Sequence, residues 1–330
     1  MLSGLCFFKK HIAMLFAMIS LLLLAMIQWR VQYQHFNWSF VLLNVWASVS
    51  IYLFAEVIRF FKPLKNKALS ELIYYLLTFI SFALLVRLFC YYSGTDLPLV
   101  PHPLIDSYLV KFDEFFHFNV ADIATYVSTN LPKVNEFFNY IYYSLAASVI
   151  VTLLLMPLIN WKSYQRMIFM FFFLISMTYV FCYFFPSVGP AYSYPNAHFS
   201  KIVIFIKDAY LQLRHDPSSA AVAASISCPS WHVLGCLLIV TAWWPIKRFG
   251  IRYFVTLYAV LLIISVFTTG WHYLADVVGS FIFMAIALFV ARKLKLFVPN
   301  YDFRVLQLLA EIIKGHYKKK EKYRLINDTL

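Results

Sequence analysis

Long apolar runs separated by short polar stretches dominate the chain. Runs of about 20 residues with few charges recur along it, and that length lets an α-helix cross the hydrocarbon core of a bilayer. The pattern therefore predicts an all-α, polytopic bundle of about eight transmembrane helices. The predicted helices span residues 12–28, 38–58, 70–92, 138–159, 167–185, 231–247, 253–269 and 273–292.

The composition agrees with a membrane-embedded chain. Its 330 residues are 62% hydrophobic and only 13% charged, whereas a soluble globular domain carries about 25% charged residues. Many Trp and Tyr residues fall at the ends of the apolar runs, as in the aromatic belts of membrane proteins. The formal net charge is +13. In a membrane protein such an excess of basic residues is typical of cytoplasmic loops and of contact with anionic lipids. We expect membrane lipids as partners and no nucleic acid.

The distribution of basic residues predicts the orientation of the helices. Most of the 28 Lys and Arg residues fall on one side if the amino terminus is cytoplasmic, including those of a basic tail at 293–330. Both termini are therefore predicted to be cytoplasmic. Two long segments, 93–137 and 186–230, then lie on the non-cytoplasmic side. The first has the spacing of an amphipathic helix that lies in the interface or forms a cap over the spans. The second is rich in Pro and Gly and is predicted to be a loop.

Two histidines stand at the ends of predicted spans on the non-cytoplasmic side. His272 follows His232 by 40 residues, which is the length of two spans, so both side chains are expected at one membrane depth. His272 and Asp276 are four residues apart and share a helical face, where the carboxylate can fix the tautomer of the imidazole. Ser230 stands at a predicted helix start, where backbone N–H groups suit a bound phosphate.

Ionisable groups at membrane depth are costly and often functional. This set of residues has the composition that phosphoryl transfer needs. His272 would attack phosphorus and form a phosphohistidine, while Asp276 would orient it. His232 would protonate the leaving oxygen and later take a proton from the incoming water or alcohol. This chemistry needs no metal and no cofactor. The same three side chains could instead bind zinc, since a His-x-x-x-Asp spacing suits that metal.

At these residues the sequence resembles the type 2 phosphatidic acid phosphatase superfamily. Pro-Ser-x-His at 229–232 is similar to the second motif of the family, and His-x-x-x-Asp at 272–276, with Ser265 upstream, is similar to the third. The segment at 185–192 resembles the first motif of the branch that contains the inositol phosphorylceramide synthases, which are inositolphosphotransferases. The resemblance covers roughly 70–292.

The resemblance implies a core of six transmembrane helices and a metal-independent active site that faces away from the cytoplasm. It implies that His272 is the nucleophile, His232 the general acid and base, and Asp276 the partner of His272. The expected substrates are lipid phosphates or phosphodiesters, and the reaction is hydrolysis or transfer to an alcohol. The predicted domains are N-terminal transmembrane helices at 1–69, a phosphatase/phosphotransferase-like membrane domain at 70–292 and a basic cytoplasmic tail at 293–330.

The cationic residues depart from the family pattern. The first family motif usually carries Lys and Arg, which are absent from 185–192, and the third usually has Arg where this chain has Val266. Arg87, near the non-cytoplasmic end of a predicted span, is the candidate that would bind the phosphate together with Ser230. Its side chain could instead only extend to the interface. Further candidates on the same side are Lys201, Lys207 and Arg214.

Two other functions remain open from the sequence. A non-catalytic lipid transporter or scaffold with the same fold would bind lipid without forming a phosphoenzyme. A metal-dependent membrane hydrolase would lose its activity on chelation. All three expected catalytic positions are filled in this chain, which favours the metal-independent enzyme.

Overall fold

The computed structural model describes residues 38–61, 73–74, 76–78, 80–81, 102–216, 228–246 and 249–294. All regular structure in these residues is helical. The continuous helices, labelled in chain order, are α1 (Trp38–Phe61), α2 (Asp106–Phe115), α3 (Val120–Asn130), α4 (Pro132–Ile159), α5 (Trp161–Phe184), α6 (Pro190–Ser193), α7 (Lys201–His215), α8 (Trp231–Trp243), α9 (Phe249–Thr268) and α10 (Leu274–Lys293). The predicted span at 12–28, most of the one at 70–92, Arg87 and the tail from 295 onward lie outside the described residues.

Several of the described helices have the character of membrane spans. Four of them, α4, α5, α9 and α10, are long and apolar enough to cross a bilayer. Shorter apolar stretches occur in α1 and α8, at Val45–Glu56 and Trp231–Trp243. The predicted all-α membrane bundle is therefore confirmed. The number of eight spans stays a prediction, because two of them lie wholly or mainly outside the described residues.

Three helices begin earlier than the hydropathy pattern predicts. α4 begins at Pro132 rather than at 138, α5 at Trp161 rather than at 167, and α9 at Phe249 rather than at 253. α5 starts there because the Asn160 side chain accepts a hydrogen bond from a backbone N–H of the first turn, at 3.1 Å, and so caps the helix. Arg166, expected in a cytoplasmic loop, is instead buried in α5, where Nη2 donates to the Thr241 carbonyl.

α5 is the most deeply buried of the four long apolar helices. It packs against α4, α8 and α10, and its Phe169, Met170 and Phe172 side chains are fully buried. α4 instead turns large apolar side chains such as Ile150 and Leu154 outward. On a transmembrane helix such a face contacts lipid tails, which are as apolar as the side chains themselves. The exposed apolar surface is therefore what a membrane-embedded bundle requires.

The described parts of the two long segments between spans fold into helices at one end of the bundle. The first forms α2 and α3, and the second forms α6 and α7; we call these four helices the end cap. The loop prediction for 186–230 was wrong over Lys201–His215, where α7 forms. Ser200 caps this helix by accepting a hydrogen bond from Val203 N at 3.4 Å, and the apolar face of α7 packs on Val188. The packing of that face stabilises the helix despite the Pro-rich sequence around it.

α2 turns its acidic face inward. Asp106, Leu109 and Asp113 are all buried, whereas Tyr108 is 70% and Phe115 is 78% exposed. The helix therefore packs against the bundle as a cap, and its outward aromatic face is of the kind found at membrane interfaces. Its two buried carboxylates contact the segments that carry the predicted first and third motifs.

Candidate active site

His232 lies in the first turn of α8, next to the start of α10. Ser230 is the N-cap of α8, and its backbone N–H donates to the carbonyl oxygen of Asp276 at 3.3 Å. Ser280 Oγ donates to the carbonyl oxygen of Ser230 at 3.1 Å. These two bonds join the amino-terminal ends of α8 and α10. They bring His232 beside the turn that contains His272.

His272 lies in the tight turn between α9 and α10. The turn passes through Gly270, which has φ +76°, a conformation that L side chains rarely adopt. A Cβ atom at this position would also lie 2.4 Å from the Phe199 ring. Glycine is thus required both by the backbone conformation and by the close approach of the end cap. The chain can therefore turn sharply enough to present His272 directly before α10.

Asp276 contacts both the nucleophile candidate and the helix start. Its Oδ2 accepts a hydrogen bond from Tyr273 N at 2.9 Å and lies 3.3 Å from His272 Nδ1. Asp276 is fully buried and His272 is 3% exposed. With Nδ1 donating its proton to the carboxylate, Nε2 of His272 carries the lone pair. The pair thus has the arrangement of a nucleophilic imidazole with a carboxylate partner.

The two histidines face each other at a short distance. Their ring centroids lie 6.1 Å apart, with 53° between the ring planes. An in-line transfer with phosphorus between the rings needs roughly 6–7 Å between the reacting nitrogens, allowing an attack distance, one P–O bond and one hydrogen bond. The 6.1 Å between the ring centroids brings the two imidazoles within reach of one phosphoryl group. One imidazole can therefore attack phosphorus while the other contacts the leaving oxygen.

His232 is held by an aromatic ring rather than by a charge. The ring of Tyr142, on α4, stacks on it with centroids 3.7 Å apart and 18° between planes. Trp271 is parallel to Tyr142 at 5.5 Å and 6°. Tyr142 is buried, so its ring has little freedom to move. The stack fixes the plane of the His232 ring.

The first-motif segment at 185–192 is bound to α2 through Asp106. Its carboxylate accepts hydrogen bonds from Val188 N at 3.0 Å and from Gly189 N at 2.8 Å. Tyr273 Oη donates to the same carboxylate at 3.1 Å. Burial raises the pKa of Asp106, although the two backbone donors oppose the shift. Asp106 therefore links the first-motif segment to the residue that follows His272.

The other buried carboxylate of α2, Asp113, caps α10. Its two oxygens accept hydrogen bonds from Leu274 N at 2.9 Å and Ala275 N at 3.0 Å, which are donors without an intrahelical partner at a helix start. Burial raises the pKa of Asp113 to about 6, while these donors act in the opposite direction. The amino terminus of α10 is thus satisfied by protein carboxylates.

Comparison with protein families agrees with this geometry. A sequence model described as the PAP2 superfamily matches residues 107–290, which is more than half of the chain. The chain belongs to the PAP2 superfamily. This is the superfamily of type 2 phosphatidic acid phosphatases. Neither the curated proteins nor the solved structures gave a match. Membership supports an integral membrane enzyme of the phosphatase type, with lipid phosphates as its substrates.

The phosphate-binding residues of this PAP2 member stay predictions. The hydroxyl of Ser230 is buried and accepts a hydrogen bond from Val233 N at 3.4 Å, so it caps α8. Arg87 lies outside the described residues. Lys207 pairs with Asp208 at 3.0 Å. Arg214 Nη2 donates to the His102 carbonyl, while Lys201 is exposed.

The described part of the chain contains no ligand set that would support the zinc alternative. Within those residues, no group of three or more His, Cys, Asp or Glu side chains could hold a metal ion. His232, His272 and Asp276 are close to one another, but they do not form such a group. The chelator experiment described below tests metal dependence directly.

Three residues near the site were not singled out from the sequence. Asp106 and Asp113 entered only as polar positions of an amphipathic helix, and Tyr142 entered only as part of an apolar run. A signal for the carboxylates existed, since they are seven residues apart and share a face with Leu109. Buried carboxylates are costly unless hydrogen-bonded. Tyr142 gave no comparable signal, because one more aromatic residue in a span is ordinary.

Proposed function

We propose that this PAP2 member is a lipid-phosphate phosphatase or phosphotransferase that forms a phosphohistidine at His272, on the non-cytoplasmic face. The observation that carries the proposal is His272 Nδ1 at 3.3 Å from Asp276, with the His232 ring centroid 6.1 Å from that of His272. The superfamily match supports the substrate class. The distribution of Lys and Arg supports the orientation.

In the first half of the reaction, His272 is the nucleophile. Its Nε2 attacks phosphorus, and an N–P bond forms as the P–O bond to the lipid alcohol breaks. His232, protonated at the outset, gives its proton to the leaving oxygen. Asp276 stays ionised and stabilises the positive charge that develops on the His272 ring. The lipid alcohol departs and a phosphoenzyme remains.

In the second half, the phosphohistidine is the electrophile. Water or an alcohol attacks phosphorus, and neutral His232 takes the proton of the incoming O–H group. The N–P bond breaks and its electron pair returns to Nε2 of His272. Water yields phosphate from a monoester, and an alcohol yields a new ester. The resemblance of the segment at 185–192 to the inositolphosphotransferase branch supports the alcohol as acceptor, with a lipid phosphodiester as donor.

Trapping the phosphoenzyme tests the proposal. The purified protein in detergent is incubated with phosphatidic acid labelled with ³²P in the phosphate, with chelator present, and is quenched in base, where phosphohistidine survives. We expect label on the wild type and none on His272→Ala, with turnover lowered at least about 10³-fold. His198→Ala, which changes an exposed histidine between α6 and α7, is the matched control and should label normally.

Each alternative has its own outcome in this experiment. Activity that survives His272→Ala contradicts the assigned nucleophile. Activity that disappears with chelator and returns with a divalent metal supports the metal-dependent hydrolase. Bound lipid without label or turnover, over a panel of lipid phosphates and phosphodiesters, supports the transporter or scaffold.

A further inference from the structure

Two buried carboxylates on one face of α2 bond to the backbone of two separate motif segments. Asp106 and Asp113 are each 1% exposed. A carboxylate in such a position is costly unless it is hydrogen-bonded. The donors come from the first-motif segment at 185–192 and from the first turn of α10. The carboxylates are therefore tied to the parts of the chain that the proposed mechanism uses.

At α10, the two carboxylates Asp113 and Asp276 divide the unpaired N–H groups of the helix start. Asp113 accepts from Leu274 N at 2.9 Å and Ala275 N at 3.0 Å. Asp276 accepts from Tyr273 N at 2.9 Å. These bonds fix the direction in which α10 begins, and His272 is the residue before Tyr273. A shift of this turn would change the distance between the two imidazoles.

At the first-motif segment, Asp106 extends the same connection. It accepts from Gly189 N at 2.8 Å and from Tyr273 Oη at 3.1 Å. Ser193 Oγ lies 2.7 Å from Tyr273 Oη and adds a third contact from the first-motif side. Tyr273 thus connects Asp106 on α2, Ser193 at the end of α6 and the start of α10. Its side chain is fully buried.

We propose that Asp106 and Asp113 are positioning residues, with α2 acting as a clamp that holds the segment at 185–192 and the start of α10 in register, so that His272 meets His232. This inference rests on the proposed function. Neither carboxylate bonds to an imidazole in the contacts above, so each acts through the backbone or through Tyr273. Loosening the clamp therefore impairs the chemical step more than it impairs substrate binding.

The test compares three variants with the wild type in detergent. Asp113→Asn removes one of two acceptors, Tyr273→Phe removes only the hydroxyl that reaches Asp106, and Glu114→Gln changes the exposed neighbouring carboxylate as the matched control. We expect kcat and the rate of phosphoenzyme formation to fall roughly 10- to 100-fold for Asp113→Asn and roughly threefold or more for Tyr273→Phe. KM should change less than about twofold, and Glu114→Gln should match the wild type.

The outcomes separate the clamp from the proposed function. A wild type that forms no phosphoenzyme overturns the proposed function. A wild type that labels, with Asp113→Asn and Tyr273→Phe labelling at its rate, overturns the clamp alone. A rise in KM with unchanged kcat also overturns the clamp, since it shows a binding role. If Asp113→Asn does not fold, the result for Tyr273→Phe decides.

Discussion

His272 and His232 lie 6.1 Å apart between ring centroids, yet different kinds of contact hold them. His272 lies 3.3 Å from the Asp276 carboxylate, in a turn whose backbone is fixed by a second carboxylate, Asp113. His232 is stacked on the neutral ring of Tyr142 at 3.7 Å. A nucleophile benefits from a fixed tautomer and from a negative charge beside it. A residue that must give and take a proton benefits from a ring plane that stays fixed while the proton moves.

The largest effect on kcat is expected when the carboxylate contact of His272 is changed. Asp276→Asn keeps an oxygen that can accept from Tyr273 N but removes the negative charge beside His272. We expect kcat to fall about 10³-fold, which corresponds to about 4 kcal/mol of transition-state stabilisation. Steady-state kinetics and phosphoenzyme labelling measure it.

Asp208→Asn, which changes an exposed carboxylate on α7, is the control for the Asp276 variant. It should leave both measurements unchanged. If Asp276→Asn lost less than about tenfold in kcat while folding normally, the carboxylate would not be the partner of the nucleophile.

A smaller effect is expected on the His232 side. Tyr142→Leu removes the stacking ring and should lower kcat about tenfold, because the acid and base group loses its fixed plane. Tyr142→Phe keeps the ring and should stay within about twofold of the wild type. Turnover of both variants under the same conditions measures the difference. A loss in Tyr142→Phe equal to that in Tyr142→Leu would show that the hydroxyl matters rather than the stack.

The smallest expected effect is on the pH dependence of the free energy of unfolding, through the carboxyl group of Asp113. Its pKa is raised from 3.8 to about 6 in the folded protein, so between these values the folded state binds more protons than the unfolded state. The free energy of unfolding contributed by this group therefore falls as pH rises from 5 to 7, by about 1 kcal/mol. Thermal unfolding in detergent should show the wild type gaining stability relative to Asp113→Asn as the pH is lowered from 7 to 5. If the difference in stability between the wild type and Asp113→Asn shifted against the wild type as the pH is lowered, the raised pKa of Asp113 would be contradicted.

The sequence was enough to predict the membrane bundle and the proximity of His232, His272 and Asp276. Two spans of ordinary length separate His232 from His272, and one helical turn separates His272 from Asp276, so regular geometry brings them to one place. Regular geometry could not predict Asp113 as the cap of α10. That bond joins residues separated by 161 positions, and no local pattern marks such a pair.

Elements with mixed polarity were also harder to predict. The start of α4 contains Lys133 and Glu136, and the start of α5 contains Lys162 and Arg166. A search for apolar runs excludes these turns, although both are helical. α7 was missed for a similar reason, since prolines flank a helix whose apolar face is recognised only when it packs on Val188.

The long separation between Asp113 and Leu274 has a consequence for biosynthesis. The ribosome adds Asp113 long before it adds the backbone N–H groups at Leu274 and Ala275 that this carboxylate binds. The cap of α10 therefore forms only after translation has reached the last described helix. His272 and Asp276 also lie in this late part of the chain, so the contacts around the two histidines cannot be complete before α10 has been synthesised.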